Sequence, residues 1–353
     1  MIDLRSDTLT KPSAQMLDAL LTADVGDDCY SEDQTVQRLE SYCADLFGKA
    51  SALFMPSGTM SNQVAIRALT NPGDEVLIES GYHVNFFESS QTADLAKITL
   101  NPCTSEIGLM DVGTLSRLLD RKARWSSNYA QARLLVVENT VNSHGGRIFP
   151  LHMLKDLFEF TRPRGISIFM DGARLLNAVE ATGIPPRQYA KYVDALTICF
   201  SKGLCAPFGS ILVGEADFVD RARKFRKWYG GALHQSGYMA AIAQYAIVNN
   251  RQQLAKDNKD AARLARLLSD VEGIRVQQPE TNIILVRVGE VVADENLFVA
   301  ALERAGVRIS PWTNGVVRVV TSSCVDESQI EPAADLIIRT ASELRTKSQA
   351  LAL

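Results

Sequence analysis

Between about residues 50 and 215, short apolar runs alternate with longer segments whose apolar residues recur at helical spacing, and this alternation constrains the fold most. Most of the short runs are continuously apolar, which is typical of strands buried on both faces. The seven strand candidates are Ala52–Met55, Glu75–Ile78, Lys97–Leu100, Leu134–Val137, Ile166–Met170, Ala195–Phe200 and Ser210–Val213. Helix candidates between them are Thr59–Leu69, Leu151–Phe160 and Ala173–Ala181. The pattern predicts an α/β fold with a mostly parallel seven-stranded sheet and helices on both faces.

The pattern changes after about Gln235, where helical stretches become longer and strands fewer. The candidates there are helices Gln235–Asn249 and Gln253–Val271, strand Asn282–Val288, helix Asn296–Ala305, strand Val316–Thr321 and helix Ser328–Leu344. This order predicts a smaller C-terminal α+β domain. Because no Pro/Gly/Ser-rich break precedes it, we expect a helical linker. We assign the N-terminal arm and large domain to residues 1–245 and the small domain to residues 246–353.

Composition excludes several classes of protein. The 353 residues are 46% hydrophobic and 22% charged, with a net charge of −4 and no block of Lys and Arg. These values disfavour a disordered chain, a nucleic-acid partner and an anionic membrane. The polar N-terminus and the lack of an apolar run of ~20 residues predict a soluble, cytoplasmic protein. The six scattered cysteines predict buried reduced thiols and no metal site.

Lys202 ends an apolar run, between Ser201 and Gly203. A lysine in such a context is unusual, because lysines are mostly surface residues. Burial lowers the pKa of a lysine and frees its amine to attack a carbonyl. The alternative is a solvated lysine at the end of a strand.

Two other segments place polar groups after apolar runs. Asp171 follows one run and precedes Arg174, and a carboxylate at the carboxyl end of a strand lies where ligands bind in open α/β sheets. Its alternative role is a helix N-cap. Ser57, Gly58 and Thr59 follow another run and begin a helix, an arrangement suited to a phosphate, although alone it is a common turn.

Together, the three segments supply the parts that hold pyridoxal phosphate. The lysine binds the cofactor covalently, and the aspartate pairs with the pyridinium nitrogen and keeps the ring an electron sink. His83 would then stack on the ring; its alternative is a core or loop histidine. This combination is much more specific than any one of its parts.

The order of motifs along the chain identifies a family resemblance. The motifs are Asp3-Leu-Arg-Ser6-Asp-Thr8, Val25-Gly-Asp-Asp-Cys-Tyr30, Pro56-Ser-Gly-Thr-Met-Ser-Asn62, Glu138-Asn-Thr140, Asp171-Gly-Ala-Arg174, Ser201-Lys202-Gly203 and Val317-Arg318-Val-Val. In this order they resemble the threonine aldolase group of the fold-type I pyridoxal-phosphate enzymes, within the β-eliminating lyases.

The resemblance implies a role for each matching residue. Lys202, Asp171 and His83 are the expected catalytic residues. The expected cofactor-binding residues are Ser57, Gly58, Thr59, His83, Asp171, Arg174, Ser201 and Lys202, and the expected substrate-binding residues are Ser6, Tyr30, Arg174 and Arg318. An arginine fork suits a carboxylate, and Arg318 in an apolar strand requires a partner, either a ligand or an acidic side chain.

The resemblance also implies that the segments around Tyr30 and Lys227 reach an active site across a subunit boundary, so we expect a homo-oligomer, a dimer or a tetramer. The alternative is that Trp228 and Tyr229 only fill a local core.

Two positions depart from the family pattern. Val141 stands where the family has a histidine near the substrate hydroxyl, and His234 stands where an arginine is common. Both changes leave the cofactor residues intact and affect the choice of β-substituent. His144 lies close enough in sequence to replace the missing imidazole, or it is a polar loop residue.

The expected activity is cleavage of the Cα–Cβ bond of L-β-hydroxy-α-amino acids to glycine and an aldehyde, in a reversible reaction. An alternative with the same cofactor is elimination or replacement of a β-substituent. A third alternative is a catalytically silent protein that binds pyridoxal phosphate. The partners are small molecules in each case.

Overall fold

The computed structural model describes residues 1–123 and 126–351. Its strands are β1 (Ile2–Asp3), β2 (Ser51–Met55), β3 (Glu75–Glu79), β4 (Thr99–Cys103), β5 (Ala132–Glu138), β6 (Ser167–Asp171), β7 (Ala195–Cys199), β8 (Ser210–Gly214), β9 (Arg275–Val276), β10 (Ile283–Arg287), β11 (Val307–Arg308), β12 (Ser310–Pro311) and β13 (Val316–Val320).

The helices complete the element order. They are α1 (Ala14–Leu21), α2 (Gln34–Phe47), α3 (Gly58–Leu69), α4 (His83–Phe86), α5 (Ser89–Ala96), α6 (Val112–Asp120), α7 (Leu151–Thr161), α8 (Leu175–Thr182), α9 (Pro186–Ala190), α10 (Ala216–Trp228), α11 (Gly237–Asn249), α12 (Arg251–Leu268), α13 (Glu295–Ala305) and α14 (Ile330–Leu351). None of the described helices is long and apolar enough to cross a membrane.

A seven-stranded sheet contains all seven strands predicted between residues 50 and 215. Its order is β2-β8-β7-β6-β5-β3-β4. Neighbours from β7 to β4 pair in parallel, and β8 runs antiparallel to both β7 and β2. The predicted mostly parallel sheet is thus confirmed. Because β2 and the five parallel strands point the same way, the loops that follow all six strands lie at one edge of the sheet.

The C-terminal part contains a second, four-stranded antiparallel sheet of order β12-β13-β10-β9. Its core, which includes Ile284, Val319 and Phe298, is distinct from the core of the large sheet. Ile2 and Leu4 also pack into this second core, and β1 pairs in parallel with β11. The N-terminal arm is therefore attached to the C-terminal part, while the boundary at residue 245 stays a prediction.

All six cysteines are free, as expected, but one part of the prediction is wrong. Cys43, Cys103, Cys199 and Cys205 are buried, whereas Cys324 is half-buried and Cys29 is exposed. Cys29 lies in the short 3-10 turn Asp28–Tyr30 and is exposed at the surface.

Candidate active site

The loops at the carboxyl edge of the large sheet bring the predicted catalytic residues together. His83 follows β3, Asp171 ends β6, and Lys202 lies three residues after β7. All three line one cavity of ≈ 160 Å³. The complete lining is Ser57, Gly58, Thr59, Asn62, His83, Asp171, Ala173, Cys199, Ser201 and Lys202. Of the eight residues predicted to bind the cofactor, only Arg174 is absent from this lining.

Asp171 is buried, and two hydrogen bonds fix its carboxylate. The Asn62 side-chain amide donates to Oδ2 at 3.1 Å, and the Ala173 backbone N–H donates to Oδ1 at 3.1 Å. Asn62 Oδ1 is buried and has no hydrogen-bond partner within the described chain. The carboxylate is thus held in one orientation at the floor of the cavity. The Ala173 contact resembles an N-cap interaction, but α8 begins only at Leu175, with Arg174 as its N-cap.

His83 is positioned by two glutamates. Its backbone N–H donates to Glu138 Oε2 at 2.5 Å, and its Nε2 lies 3.1 Å from Glu88 Oε1. Burial alone would lower the pKa of His83, but the Glu88 hydrogen bond and the charges of Asp171 and Glu88 outweigh it and raise the pKa. Since a carboxylate only accepts hydrogen bonds, we assign the Nε2–H tautomer to His83.

Glu138 is a candidate functional residue that the sequence analysis treated only as part of a motif. It ends β5 beside Asp171 and accepts hydrogen bonds from the backbone N–H groups of both His83 and Asn142. Burial and the charge of Asp171 raise the pKa of Glu138 to about 7. This carboxylate connects the loops after β3 and β5.

The start of α3 forms another wall of the cavity. Ser57 is the N-cap, and its Oγ accepts from the Met60 N–H at 3.2 Å. A side chain at position 58 would place Cβ 2.6 Å from Cys199 Sγ, so glycine permits the close approach of α3 to β7. The cavity thus combines a lysine amine, a fixed carboxylate and a helix N-terminus. This donor set fits pyridoxal phosphate, as the sequence analysis predicted.

Arg174 has a partner that the sequence did not reveal. Its Nε and Nη2 donate to the two carboxylate oxygens of Asp7, both at 2.7 Å, and Asn282 also donates to Asp7. Burial alone would raise the pKa of Asp7, but the charge and hydrogen bonds of Arg174 lower it to about 2. The side of the Arg174 fork that presents Nε and Nη2 is therefore occupied by the chain itself. Ser6 caps the turn containing Asp7 by accepting from Thr8.

Arg318, on β13, forms no ion pair with an acidic side chain among the described residues, so the acidic partner considered as the alternative is not found there. Its Nη1 donates to Asn142 Oδ1 at 3.0 Å, and its guanidinium lies 5.0 Å from the Trp312 ring centroid. Its Nε is buried without a hydrogen-bond partner among the described residues. Burial and the charge of Arg174 lower the pKa of Arg318 to about 10, against the effect of Asp7. The guanidinium therefore has an unpartnered buried N–H that a ligand could use.

Val141, which departs from the family pattern, and nearby His144 are both held by contacts within the chain. Val141 is fully buried, and its N–H donates to the Arg147 carbonyl. His144 lies against Gly108, and its Nδ1 is 3.0 Å from Ser143 Oγ. Neither Val141 nor His144 is among the described residues that line the cavity.

Tyr30 and Lys227 are not brought into the cavity within one chain. Tyr30 is 76% exposed, and Lys227 Nζ lies 3.4 Å from Cys29 Sγ. Asp27, Cys29 and His234 form a group whose potential ligand atoms lie within 4.8 Å of one another. Asp27 and His234 already pair at 2.8 Å, and the Lys227 ammonium occupies the space beside the thiol, so these contacts account for the group.

Comparison with known proteins identifies the family. Residues 3–290 match the model of the β-eliminating lyases. The chain is 40% identical to the low specificity L-threonine aldolase of Escherichia coli O157:H7 over 338 residues, which cover 95% of this chain and 97% of that protein. It is 34% identical to low-specificity L-threonine aldolase 1 of Arabidopsis thaliana, covering 93% of each chain. The structure of a threonine aldolase from Leishmania major has a TM-score of 0.81 at 20% identity, covering 97% of this chain and 100% of that one, and shares the fold.

The family match therefore defines a lyase, and the cavity fits the pyridoxal phosphate on which this family depends. The chain belongs to the β-eliminating lyase family, and within it the chain is similar to the low-specificity L-threonine aldolases.

Proposed function

We propose that the protein is a pyridoxal-phosphate-dependent aldolase. It cleaves the Cα–Cβ bond of L-β-hydroxy-α-amino acids of the threonine, allo-threonine and phenylserine type to glycine and an aldehyde, and the reaction is reversible. The observation that carries the proposal is the convergence of Lys202, Asp171 and His83 on one cavity.

The residues of the cavity would hold the cofactor at three points. Lys202 would hold the cofactor covalently, the fixed Asp171 carboxylate would pair with its ring nitrogen, and the hydroxyl and N–H groups at the start of α3, with Ser201, would hold its phosphate. When bound, pyridoxal phosphate supplies an electron sink for the pair released from the broken bond.

Arg318 binds the substrate carboxylate in this proposal. Its unpaired buried Nε and its Nη1 contact with neutral Asn142 leave it with a positive charge that no carboxylate among the described residues neutralises. Arg174, oriented by Asp7, adds positive charge to the same region, and Ser6 lies in the adjacent turn. Anchoring the carboxylate turns the Cα–Cβ bond toward the orientation in which it breaks.

His83 is the proposed acceptor of the hydroxyl proton, directly or through a water. With Nε2–H directed to Glu88, Nδ1 has the free lone pair, and Glu88 stabilises the imidazolium that forms. Val141 has no group that can accept a proton.

Elimination or replacement of a β-substituent is the second candidate, because Val141 provides no hydrogen bond to a substrate hydroxyl. Product analysis separates the two reactions. We expect purified holoenzyme to release glycine and an aldehyde from a panel of β-hydroxy amino acids. Ammonia and a keto acid as the main products would establish the elimination.

Lys202→Ala tests the cofactor assignment in the same experiment. The variant should lose the covalent link and nearly all turnover, whereas Lys191→Ala, at an exposed position, should retain both. Borohydride should fix the cofactor of the wild type to the peptide containing Lys202. Recovery of the reduced cofactor on another lysine would contradict the assignment. A wild-type protein that binds the cofactor but turns over none of the substrates would be a silent cofactor-binding protein.

A further inference from the structure

Three aromatic side chains form a continuous cluster beside the cavity, and we refer to Phe86, Phe87 and Trp312 as the aromatic wall. Phe86 and Phe87 pack edge to face with ring centroids 4.8 Å apart. Trp312 stacks on Phe86 at 6.1 Å and tilts against Phe87 at 6.3 Å. The phenylalanines follow β3, whereas Trp312 lies between β12 and β13, so two distant parts of the chain build this cluster.

The aromatic wall extends from the proposed proton acceptor to the proposed carboxylate anchor. At one end the Phe87 ring centroid is 5.0 Å from that of His83. At the other end the Arg318 guanidinium lies 5.0 Å from the Trp312 ring centroid. A substrate whose carboxylate binds Arg318 and whose hydroxyl contacts His83 lies between these two residues. The aromatic wall borders that space, so the β-substituent lies next to the wall.

The wall is also partly open in this chain. Phe86 is 52% exposed and Phe87 is 49% exposed, so neither ring is used up in the folded core. Exposed aromatic rings that adjoin a polar site are typical of a surface for an apolar ligand group. The rigid indole of Trp312 offers a large planar contact with few rotatable bonds.

We propose that the aromatic wall is a subsite for an aryl β-substituent, and that Trp312 is the residue that sets the preference for an aryl over a methyl substituent. The inference rests on the proposed function and names the substrate class within it. A phenyl group reaches the rings and is removed from water against them, whereas the methyl of threonine is too short for extensive contact. Losing the aromatic face should therefore lower kcat/KM for the aryl substrate about tenfold more than for the methyl substrate.

The test measures kcat/KM for phenylserine and threonine in wild-type holoenzyme and in Trp312→Leu, Trp312→Phe and Tyr129→Leu. Tyr129 is another exposed aromatic residue, close before β5 at the opposite edge of the sheet, and it serves as the matched control. We expect Trp312→Leu to lower the phenylserine-to-threonine ratio about tenfold. Trp312→Phe should retain most of the ratio, and Tyr129→Leu should not change it.

A binding measurement separates the subsite from an effect through Arg318. The inhibition constants of phenylalanine and alanine, which carry no β-hydroxyl, report binding without cleavage. Trp312→Leu should weaken phenylalanine much more than alanine. Equal weakening of both would mean that Trp312 only positions Arg318, and that result overturns the proposal.

Two further outcomes of the experiment have different meanings. An unchanged ratio with a smaller particle mass in Trp312→Leu would mean that the wall packs against a second copy of the chain, which also overturns the subsite. If the wild type releases no glycine from any substrate, the proposed function fails. The relative binding of phenylalanine and alanine, followed by the visible spectrum of the bound cofactor, still tests the wall in that case.

Discussion

Glu88 and His83 form the pair of residues whose protonation most directly affects the proposed reaction. Glu88 is 2% exposed and accepts from Gln63 Nε2 at 2.7 Å, which orients its carboxylate toward His83. The charge of Glu88 raises the pKa of His83, while burial and Lys202 act in the opposite direction. A base with a raised pKa remains protonated, and therefore inactive, to a higher pH.

Glu88→Gln should consequently shift the acid limb of the kcat/KM profile to lower pH. Removing the carboxylate lowers the pKa of His83, because the Glu88 hydrogen bond and charge are among the interactions that raise it. The measurement is kcat/KM for threonine across the acid range, with Glu106→Gln, at an exposed loop position, as control. A limb that stays in place or moves upward would show that His83 is not the titrating base.

The segment that follows β5 connects His83 to Arg318, the proposed carboxylate anchor. Glu138 contacts the His83 backbone, and Asn142 contacts Arg318, with Val141 buried between them. An isopropyl group here cannot donate to or accept from a substrate hydroxyl. A hydrogen bond of that kind contributes on the order of 1 kcal/mol.

Val141→His should therefore increase discrimination between threo and erythro substrates, by roughly tenfold for each 1.4 kcal/mol regained. We expect the wild type to discriminate weakly and to favour phenylserine over threonine. The measurement is kcat/KM for threonine, allo-threonine and both phenylserine diastereomers. Val141→Leu and thermal unfolding control for the larger side chain in a buried position. A wild type that is strict for one threonine diastereomer, with no change in Val141→His, contradicts this interpretation.

The secondary structure was largely predictable, because the strands of the large sheet are buried on both faces and read as apolar runs. The prediction was least accurate for β4, which was expected at Lys97–Leu100 and lies at Thr99–Cys103. β4 is an edge strand that pairs only with β3, and its residues are mostly exposed or half-buried, so hydrophobicity does not mark its ends. Lys97 instead ends α5 in the left-handed conformation.

The contacts that complete the site were less predictable. Asp7 and Arg174 are 167 residues apart, and their pairing depends on the attachment of the N-terminal arm to the C-terminal part of the chain. The periodicity of apolar residues in the sequence does not indicate a contact between residues so far apart. The aromatic wall was not predicted for the same reason, since Phe86 and Trp312 are far apart in the sequence and are in contact only in the folded structure.

Asp7→Asn tests the energetic role of that ion pair. Breaking a buried pair leaves an uncompensated charge on Arg174, so we expect a loss of about 3 kcal/mol in the free energy of unfolding at pH 7. Because the pKa of Asp7 is lowered to about 2, its contribution is fully present above pH ~4 and decreases as the pH falls toward 2.

Denaturant unfolding between pH 7 and pH 3 measures this difference, and Asp3→Asn is the matched control. Asp3 pairs with Arg5 at the more exposed start of the arm, where an ion pair contributes about 0–1 kcal/mol. Equal effects of the two substitutions, or a difference that grows on acidification, would contradict the role given to Asp7.

At the scale of the whole molecule, one chain leaves some of the expected site residues outside the cavity. Tyr30 is 76% exposed and Trp228 is 63% exposed. Tyr30 follows Cys29 and Trp228 follows Lys227 in the sequence, and because Lys227 contacts Cys29, both aromatic residues lie in the same region of the surface. Large exposed aromatic residues close together are common at interfaces between subunits. We therefore propose that this surface joins a homo-oligomer, at least a dimer, in which it completes the partner's site.

Mixing two inactive variants distinguishes a shared site from a self-contained one. Lys202→Ala removes the cofactor lysine, and Lys227→Ala removes a side chain expected to act across the boundary. If Lys227 acts on the site of its own chain, every site in a mixed oligomer lacks either Lys202 or Lys227, and the mixture stays inactive. If Lys227 acts on the neighbouring subunit, a hybrid dimer has one site with both defects and one intact site, so random mixing restores about a quarter of wild-type activity. Light scattering should show particles larger than the 38.7 kDa chain. A shared site requires a partner subunit and predicts recovery in hybrids. A fully active monomer, or no recovery after verified subunit exchange, would therefore contradict it.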